Sequence, residues 1–335
     1  MIDLATLWFG ILVFSLFMYV VLDGFDLGIG LLYLFFPDER QRDVMMDTVA
    51  PVWDGNETWL VLGGAGLFGA FPLAYGVLLS YLALPLTLMV LALIFRGVAF
   101  EFRHNADPNH KPYWSISFIF GSFISVFMQG VVVGAVVQGI PADALADQSI
   151  LAWHWLSAFT LFTGFGLTIC YALLGCSWLI LKTQGSLQQK MYAWLGPLVW
   201  LQLFVIAVIS LWTPLMNATI WQRWFSLPNF IILLPVPLFI ALISFLLLRS
   251  HKKGWQLMPF LGSLAIVVLG LSGLSLSLWP YLVPPLLDYK AAAAPDSSLL
   301  FMLIGVALIL PVILIYTGWN YYVFRGKVHE QTKHY

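Results

Sequence analysis

Long stretches without any charged residue recur along this chain, and they constrain its fold more than any motif does. Many runs of about 18 or more mostly apolar residues are present, the length that an α-helix needs to cross about 30 Å of hydrocarbon. Charged residues make up 9% of the chain and hydrophobic residues 61%, whereas a soluble domain carries roughly a quarter charged residues. The sequence therefore predicts a membrane protein with many spans and little soluble mass.

Nine spans are predicted, separated by short connections rich in the proline, glycine and asparagine residues typical of turns. Backbone groups exposed to lipid must be satisfied within the segment, so each span is interpreted as an α-helix. No soluble domain or long linker interrupts the series, and residues 1–335 are predicted to form a single transmembrane domain. The spans lie at about residues 5–34, 57–77, 79–102, 114–137, 152–181, 192–213, 228–249, 257–277 and 299–323.

The distribution of basic residues predicts the orientation, because cytoplasmic loops of membrane proteins carry an excess of lysine and arginine. The opposite side holds only Arg223 and Lys290, and Arg96 lies inside the third span. The sequence thus predicts an outer N-terminus, a cytoplasmic C-terminus and an odd number of spans. The basic residues on the predicted cytoplasmic side are Arg40, Arg42, Arg103, Lys111, Lys182, Lys190, Arg249, Lys252, Lys253, Arg325, Lys327 and Lys333.

Polar residues are concentrated in the cytoplasmic halves of the first three spans. Two carboxylates in "YVVLDGFDLGIGLL" have i, i+3 spacing and share one helical face. The second span begins on the same side with "PVWDGNETWL", and the third runs back toward it through "ALIFRGVAFEFRH". The groups predicted to meet at a similar depth are Asp23, Asp26, Asp54, Asn56, Glu57, Arg96 and Glu101.

Three interpretations of these buried charges remain open. A charge at the centre of a membrane helix costs about 2.5–3.5 kcal/mol, so such groups normally face the bundle interior or a wet cavity. They could form a structural ion-pair network that locks the helices together. They could form a proton or cation pathway, since Arg96 can neutralise only one or two acids and desolvated carboxylates are suited to proton exchange. Asp54 and Glu57 also suit a plain helix N-terminus.

Small residues surround the two acids of the first span. Gly24 and Gly28 form a G-x-x-x-G pair, which permits close approach of helices. The second span repeats the pattern in "LGGAGLFGAFP". These glycines predict close packing of helices 1 and 2. Gln129 and Gln138, in the fourth span, are predicted to form hydrogen bonds between helices.

Histidine placement argues against a haem site built from this chain. His154 is the only histidine predicted inside a span, so no bis-histidine pair across the membrane is available. His154 lies between two tryptophans near the outer end of its span, which favours an interfacial or hydrogen-bonded role over a ligand role. The sequence also lacks a Cys/His cluster with metal-ligand spacing, so no metal site is predicted.

Two classes of function fit these features. The first is a subunit of a membrane redox complex that offers protonatable groups without cofactor ligands of its own. The second is a secondary transporter or ion channel with an acidic proton or cation pathway in helices 1–3. Transporters often show paired halves with broken helices near the midplane. Such symmetry is not visible here and the polar residues crowd the first third, which favours the subunit.

Five motifs carry a resemblance to a known family. In order along the chain they are "LDGFDLGIG", "APVWDGNETWL", "FRGVAFEFRH", "WPYLVPP" and "GWNYYVFRGKV". Together they resemble subunit II of cytochrome bd-type quinol oxidases, and the likeness covers essentially the whole chain. The compact length and short loops are similar to the cyanide-insensitive branch of that family.

The resemblance implies a heterodimer of two large nine-helix subunits, each with two four-helix bundles and a peripheral helix. Subunit I would ligate all the haems, two of type b and one of type d, or only b-type haems in the cyanide-insensitive branch. The complex would oxidise quinol, reduce dioxygen to water with cytoplasmic protons, and lie in the bacterial cytoplasmic membrane. A single-span small subunit is a further partner that the family admits.

The resemblance also implies a proton route through acidic residues of this subunit. It points to Asp26 of "DGFD" and Asp54 of "WDGN" as the relay, with Arg96 as their pairing partner and Asp23 as a neighbour. Relatives often have glutamine where this chain has Glu57, which adds an acid. Asp23, Glu57 and Glu101 would tune the local field.

Overall fold

The computed structural model describes residues 3–141 and 153–328, and within these ranges the chain is almost entirely helical. A 3₁₀ turn covers Tyr33–Phe35, and a hairpin of β1 (Tyr281–Val283) and β2 (Leu287–Asp288) precedes the last helix. The α-helices are α1 (Leu4–Leu32), α2 (Glu39–Asp47), α3 (Trp53–Ala70), α4 (Pro72–Tyr81), α5 (Ala83–Asn105), α6 (Lys111–Gln138), α7 (Ala158–Lys182), α8 (Gly185–Met216), α9 (Ala218–Phe225), α10 (Asn229–Leu233), α11 (Pro235–Lys253), α12 (Leu257–Leu278) and α13 (Asp296–Val323).

Eight helical segments in the described ranges are long and apolar enough to cross a membrane, or nine if α3 and α4 together form one span. This confirms the prediction of an all-α integral membrane protein with about nine spans. The orientation, the division into two four-helix bundles plus a peripheral helix, and the single domain over residues 1–335 stay predictions. The segments are α1 with the turn after it, α5, α6, α7, α8, α10 with α11, α12 and α13.

The second predicted span, at about residues 57–77, is not one continuous helix. α3 ends at Ala70, α4 begins at Pro72, and the two helices are bent by 118°. Phe71 between them has a non-helical backbone (φ −136°, ψ 62°). Proline lacks the N–H that a continuing helix would need, but it fits the first turn of a new helix. The break therefore falls where the sequence "AFP" allows it.

The fifth predicted span, 152–181, begins later than predicted, and residue 152 lies outside the described ranges. Ser157 is the N-cap of α7 and accepts a hydrogen bond from the Thr160 amide, while the Thr160 side chain accepts one from the Ser157 amide. This capping box fixes the helix start at Ala158. His154 consequently lies in an exposed turn before the helix, and the prediction that it sits inside a span is wrong.

The second half of α1 is the most enclosed segment of the fold, packed among α3, α6 and α7. A Cβ at Gly28 would lie 1.8 Å from the Tyr171 carbonyl oxygen and 2.9 Å from the Gly175 nitrogen, both on α7. Gly24 also faces α7, so the prediction that these glycines serve packing against helix 2 is wrong. In α3, Gly66 does face Leu12 of α1.

α13 lies at the side of the structure and packs mainly on α1 and α3. Most of its apolar side chains are exposed, and Leu299 is its one buried residue among those described. Hydrogen bonds hold the C-terminal end of α13. The Asn320 side chain donates to the Pro51 carbonyl at 2.9 Å, and the Lys182 ammonium donates to the Phe324 carbonyl.

Candidate functional site

The buried charges of α1, α3 and α5 meet around one guanidinium group. Arg96 Nη1 donates to Glu57 Oε1 at 2.7 Å, and Nη2 donates to Asp23 Oδ1 at 3.0 Å. The same Nη2 lies 3.7 Å from Asp26 Oδ2. Arg96, Asp23 and Asp26 are fully buried, and the Glu57 side chain is 26% exposed. We call these four residues the acid cluster.

Local sequence explains why the acid cluster assembles. Asp23 and Asp26 are one turn apart on α1, and Glu57 lies in the first turns of α3 on the side that faces α1. The Arg96 guanidinium also lies over the rings of Trp53 and Phe100, at 5.5 and 5.0 Å from their centroids. Those two rings stack at 4.9 Å. Aromatic faces attract a cation and shield it from other partners, so they help to fix Arg96.

The acid cluster carries more negative than positive charge. Three carboxyl groups face one guanidinium, so full ionisation would leave an excess of negative charge in a site with little access to water. Asp23 Oδ2 and Asp26 Oδ1 are buried and have no hydrogen-bond partner among the residues described. Such orphaned oxygens are costly unless they bind a proton or water. The cluster thus has both the surplus acid and the free oxygen atoms that proton exchange requires.

Asn56 links the acid cluster to α13. Its Nδ2 donates to Asp26 Oδ2 at 2.7 Å and to the Leu22 carbonyl at 3.1 Å. The Tyr321 hydroxyl donates to Asn56 Oδ1 at 2.9 Å. Asn56 is 1% exposed, and all its polar atoms are satisfied.

A second hydrogen-bonded chain approaches Asp23 from α6 and α7. The Tyr171 hydroxyl donates to Gln129 Oε1 at 3.1 Å, and Gln129 Nε2 donates to the Tyr19 hydroxyl at 2.7 Å. Tyr19 lies one turn before Asp23 on α1, so the two side chains share a face of that helix. Gln129 thus forms the predicted hydrogen bonds between helices, and Gln138 accepts one from Ser157 at 2.7 Å.

Two acids proposed from the sequence do not join the cluster. Asp54 is exposed in the first turn of α3, and Glu101 is exposed near the end of α5. Neither side chain makes a hydrogen bond or ion pair with the residues described. Glu101 is five residues from Arg96, so a helical repeat of 3.6 residues turns it away from Arg96's face. Asp54 is one turn before Glu57 and therefore stays close to the opening of the site.

A second ionic cluster lies beyond the acid cluster, toward the end of α5. Arg103, which is 2% exposed, donates to Glu39 Oε2 and to Asp43 Oδ1, each at 2.6 Å. Lys111 approaches Asp43 at 3.2 Å, and Arg42 pairs with Glu39 at 2.7 Å. These acids are about two-fifths exposed, and basic groups outnumber them. The cluster therefore has paired acids and no surplus of negative charge.

The sequence interpretation missed Tyr19, Tyr171 and Tyr321 as partners of the site. Tyrosine is frequent near the ends of membrane helices. The presence of a tyrosine there therefore did not indicate that it belongs to the site. The "WNYY" motif did include Tyr321, but without a reason to connect it to Asn56. Only the packing of α13 beside α3 brings the two together.

A metal ion would need several His, Cys, Asp or Glu side chains brought close together. Within residues 3–141 and 153–328, no group of three or more His, Cys, Asp or Glu residues is arranged to hold a metal ion. His154 lines an open cavity of about 330 Å³ near the ends of α4 and α6, together with Tyr81, Gln138 and Pro285. Haem ligation by a partner stays a prediction.

The chain matches one known protein family over nearly its whole length. The family described as "Cytochrome bd terminal oxidase subunit II" matches residues 4–324. Cytochrome bd ubiquinol oxidase subunit 2 of Bacillus subtilis (strain 168) is 31% identical, with 99% of this chain and 98% of the relative covered. Cytochrome bd-I ubiquinol oxidase subunit 2 of Escherichia coli (strain K12) is 26% identical, with 98% and 96% covered.

A solved structure shows the same fold. The bd oxidase from Geobacillus thermodenitrificans contains a chain that superposes with a TM-score of 0.69 at 17% identity. The match covers 96% of this chain and 99% of the solved one. At this identity the likeness concerns the fold, and it extends over nearly the whole length.

Proposed function

Because the chain belongs to the cytochrome bd terminal oxidase subunit II family and is thus one subunit of a quinol oxidase, we propose that it delivers protons to the oxygen-reducing centre of its partner. The observation that carries the proposal is the acid cluster, in which three carboxyl groups surround Arg96. Family membership disfavours the secondary transporter or channel, since a quinol oxidase needs such a proton supply for its own reaction.

The reaction of the complex sets the requirement. Oxidation of quinol releases protons with its electrons, and reduction of dioxygen to water consumes a proton for each electron. The relatives in Bacillus subtilis and Escherichia coli are named as ubiquinol oxidase subunits. We propose that subunit I of this oxidase ligates the haems, b-type and in the typical enzyme also d-type, and that this chain ligates none. Its own contribution is then to hold and move protons.

The proposed entry is the N-terminal end of α3. Asp54 is exposed there, and Glu57 one turn later is partly exposed while it touches Arg96. A proton taken from water by Asp54 or Glu57 would pass to the buried pair, Asp26 and Asp23. The basic-residue count supports a cytoplasmic position for this end. Glu101, which lies apart from the cluster, would influence the route only through its long-range field.

Arg96 has a holding role in this proposal. Its two terminal nitrogens keep Glu57, Asp23 and Asp26 within reach of one guanidinium, and arginine itself stays charged. The charge offsets part of the negative excess, so that one acid can release a proton while another binds one. Removing Arg96 would therefore disturb both the order and the charge balance of the route.

A purely structural ion-pair network is the competing interpretation, and the same contacts are consistent with it. In that case the cluster would join α1, α3 and α5 and support assembly with subunit I. A carboxyl-to-amide change separates the two roles, because it keeps the side-chain volume nearly constant and removes the titrating proton.

The test uses Asp26→Asn in the complete oxidase, purified from bacterial membranes, where we propose that it resides. Proton delivery predicts full haem content with a quinol oxidation rate reduced by about tenfold or more, since a positioned proton donor contributes at least that much. Asp107→Asn, the same change at an acid that is 85% exposed and lies outside the proposed route, is the matched control and should run at the parental rate. Normal turnover of Asp26→Asn with full haem content would refute delivery through Asp26, and lost assembly would favour the structural network.

Partners other than subunit I remain part of the proposal. A single-span small subunit is consistent with the family, and quinol and dioxygen would reach the complex through the partner. The chain is a multi-pass membrane protein, and the bacterial inner membrane is its proposed location.

A further inference from the structure

We propose that Tyr321 is a positioning residue for Asp26 and acts through the side-chain amide of Asn56. The inference rests on the proposed role of Asp26 in proton delivery and names a control over it from a distant helix. Tyr321 lies on α13, whereas Asp26 and Asn56 lie on α1 and α3. The three side chains form one continuous chain of hydrogen bonds.

The surroundings of Asn56 allow only one orientation of its amide. Nδ2 has two hydrogens, and these are donated to Asp26 Oδ2 and the Leu22 carbonyl. If the amide were turned over, Asn56 Oδ1 would face those two acceptors, and Nδ2 would face the Tyr321 hydroxyl. An amide oxygen facing a carboxylate oxygen and a carbonyl is unfavourable. Tyr321 completes the arrangement because its hydroxyl donates to Oδ1 at 2.9 Å.

Packing and a neighbouring hydrogen bond fix the position of the Tyr321 hydroxyl. Its ring packs edge-on against Phe25 and Trp178, with centroid distances of 6.5 and 6.2 Å. The preceding residue, Asn320, is bonded to the Pro51 carbonyl just before α3. These contacts hold the end of α13 against α3 although most of the helix is exposed, so the hydroxyl is held where Asn56 needs it.

The consequence for Asp26 is an asymmetry between its two oxygens. Oδ2 accepts from Asn56 at 2.7 Å and lies 3.7 Å from Arg96. Oδ1 is buried without a partner among the residues described. We assign Oδ1 as the oxygen that takes up and releases the proton, with Oδ2 as the fixed carbonyl end. Tyr321 maintains this division by keeping the Asn56 amide turned toward Oδ2.

The test is a double-mutant cycle read by infrared difference spectroscopy of the complete oxidase during a pH change. The Asp26 carboxyl C=O band is the one that Asp26→Asn removes. Tyr321→Phe should weaken the bond from Asn56 and move this band to higher frequency, and Asn56→Ala should move it at least as far. If Tyr321 acts through Asn56, the double variant should match Asn56→Ala alone. Tyr316→Phe, an exposed tyrosine on the same helix, should leave the band in place.

Specific outcomes would overturn the inference. An unmoved band in Tyr321→Phe, or an equal further shift when it is added to Asn56→Ala, would mean that Tyr321 does not act through Asn56. Absence of any carboxyl band assignable to Asp26 would refute the role given to Oδ1. Should Tyr321→Phe not assemble, 3-fluorotyrosine at position 321 gives a stronger donor of nearly the same shape. It should move the band to lower frequency, and an unmoved band would again refute the coupling.

The infrared result is independent of turnover. If Asp26→Asn oxidises quinol at the normal rate, proton delivery through Asp26 fails, yet the Tyr321–Asn56–Asp26 coupling can still be present. If Asp26→Asn is slow but the Asp26 band, observed with Asp26 present, does not move in Tyr321→Phe, delivery stands and the positioning role fails. A displaced pH–rate profile in Tyr321→Phe, absent from Tyr316→Phe, would link the two.

Discussion

Arg96 and Glu57 lie 39 residues apart in the sequence, and Arg96 Nη1 donates to Glu57 Oε1 at 2.7 Å. Glu57 is the one acid of the cluster whose side chain is partly exposed. The contact therefore joins the open edge of the site to its buried interior through a single guanidinium. This relationship separates Glu57 from Asp54, which lies beside the site without touching Arg96.

Glu57 should consequently matter more than Asp54. We expect Glu57→Gln to lower the quinol oxidation rate by about tenfold, because it removes the partly exposed proton acceptor of the cluster. Asp54→Asn should have a smaller effect, since water can reach Glu57 directly. The measurement is oxygen consumption by purified complexes of equal haem content. A larger loss in Asp54→Asn than in Glu57→Gln would show that the entry lies at Asp54.

Loss of Arg96 should destabilise the fold. Arg96→Gln leaves two buried carboxyl groups without their countercharge, and breaking a buried ion pair typically costs about 3–5 kcal/mol. The measurement is unfolding of the detergent-solubilised complex by denaturant. Arg249→Gln, a change at an exposed arginine, should stay within about 0.5 kcal/mol of the parent. Equal stability of Arg96→Gln and the parent would contradict a charged cluster at this site.

Gly28 should not accept a side chain. Its Cβ would lie 1.8 Å from the Tyr171 carbonyl oxygen, so Gly28→Ala must push α1 and α7 apart at a cost of about 1–3 kcal/mol or more. Gly10→Ala is the control on the same helix, because no atom lies within 4 Å of its Cβ position. Thermal unfolding of the complex should separate the two variants clearly, and similar melting temperatures would refute the close crossing.

The second ionic cluster should be structural. Asp43→Asn weakens contacts to Arg103 and Lys111, and because the Arg103 side chain is only 2% exposed, the change should lower the free energy of unfolding. We expect the rate and its pH profile to stay unchanged, because the acids of this cluster are paired and not in surplus. A slowed rate comparable to that of Asp26→Asn would instead extend the proton route to this cluster.

The N-terminus of α1 should show a pH-dependent contribution to stability. Hydrogen bonds from Thr6, and then from Lys290, lower the pKa of Asp3 from 3.8 to about 2. A lowered pKa means that the ionised form is favoured in the fold. Its contribution is therefore present above the ordinary value and is lost as the pH falls through about 2. Asp3→Asn should melt below the parent near neutral pH, and the difference should vanish toward about pH 2.

A comparison with Lys290→Met identifies the source of that effect. The Lys290 ammonium lies 3.0 Å from the Asp3 carboxylate. Hydrogen bonding with Thr6 nevertheless lowers the pKa of Asp3 more than Lys290 does. Lys290→Met should therefore show a smaller pH-dependent difference than Asp3→Asn. If the melting temperature of Asp3→Asn differed from that of the parent by the same amount at all pH values, Asp3 would act only as an uncharged cap.

The free-energy cost of burying a charge explains which residues of the site could be predicted from the sequence. Asp23, Asp26 and Arg96 stand out because charges inside long apolar runs need partners. Tyr321 and Gln129 carry no such penalty, so nothing in the sequence pairs them with the acids. Glu101 satisfied the same pattern as Glu57 but lies on a different face of its helix. The sequence indicates how far along its helix each acid lies, but it does not indicate which neighbouring helix that acid faces.

The helices themselves were predictable where apolar runs are long and uninterrupted. The break at Phe71 was not, because a hydropathy pattern continues through "GAFPLAYG" and hides the non-helical residue. Pro72 is compatible with a helix start or with a kink, and only the packing decides between them. The partner of Gly28 was likewise a matter of tertiary arrangement, since a G-x-x-x-G pair indicates a close neighbour without naming it.

The bond from Tyr321 to Asn56 also imposes an order on biosynthesis. A chain emerges from the ribosome with its N-terminal segments first, so α1, α3 and α5 can gather Asp23, Asp26, Glu57 and Arg96 early. The Asn56 oxygen stays without its donor until α13, the last helix described, has been inserted and docked. All the charges of the acid cluster lie before α6, but the geometry around Asp26 cannot be complete in a newly made chain until α13 is in place.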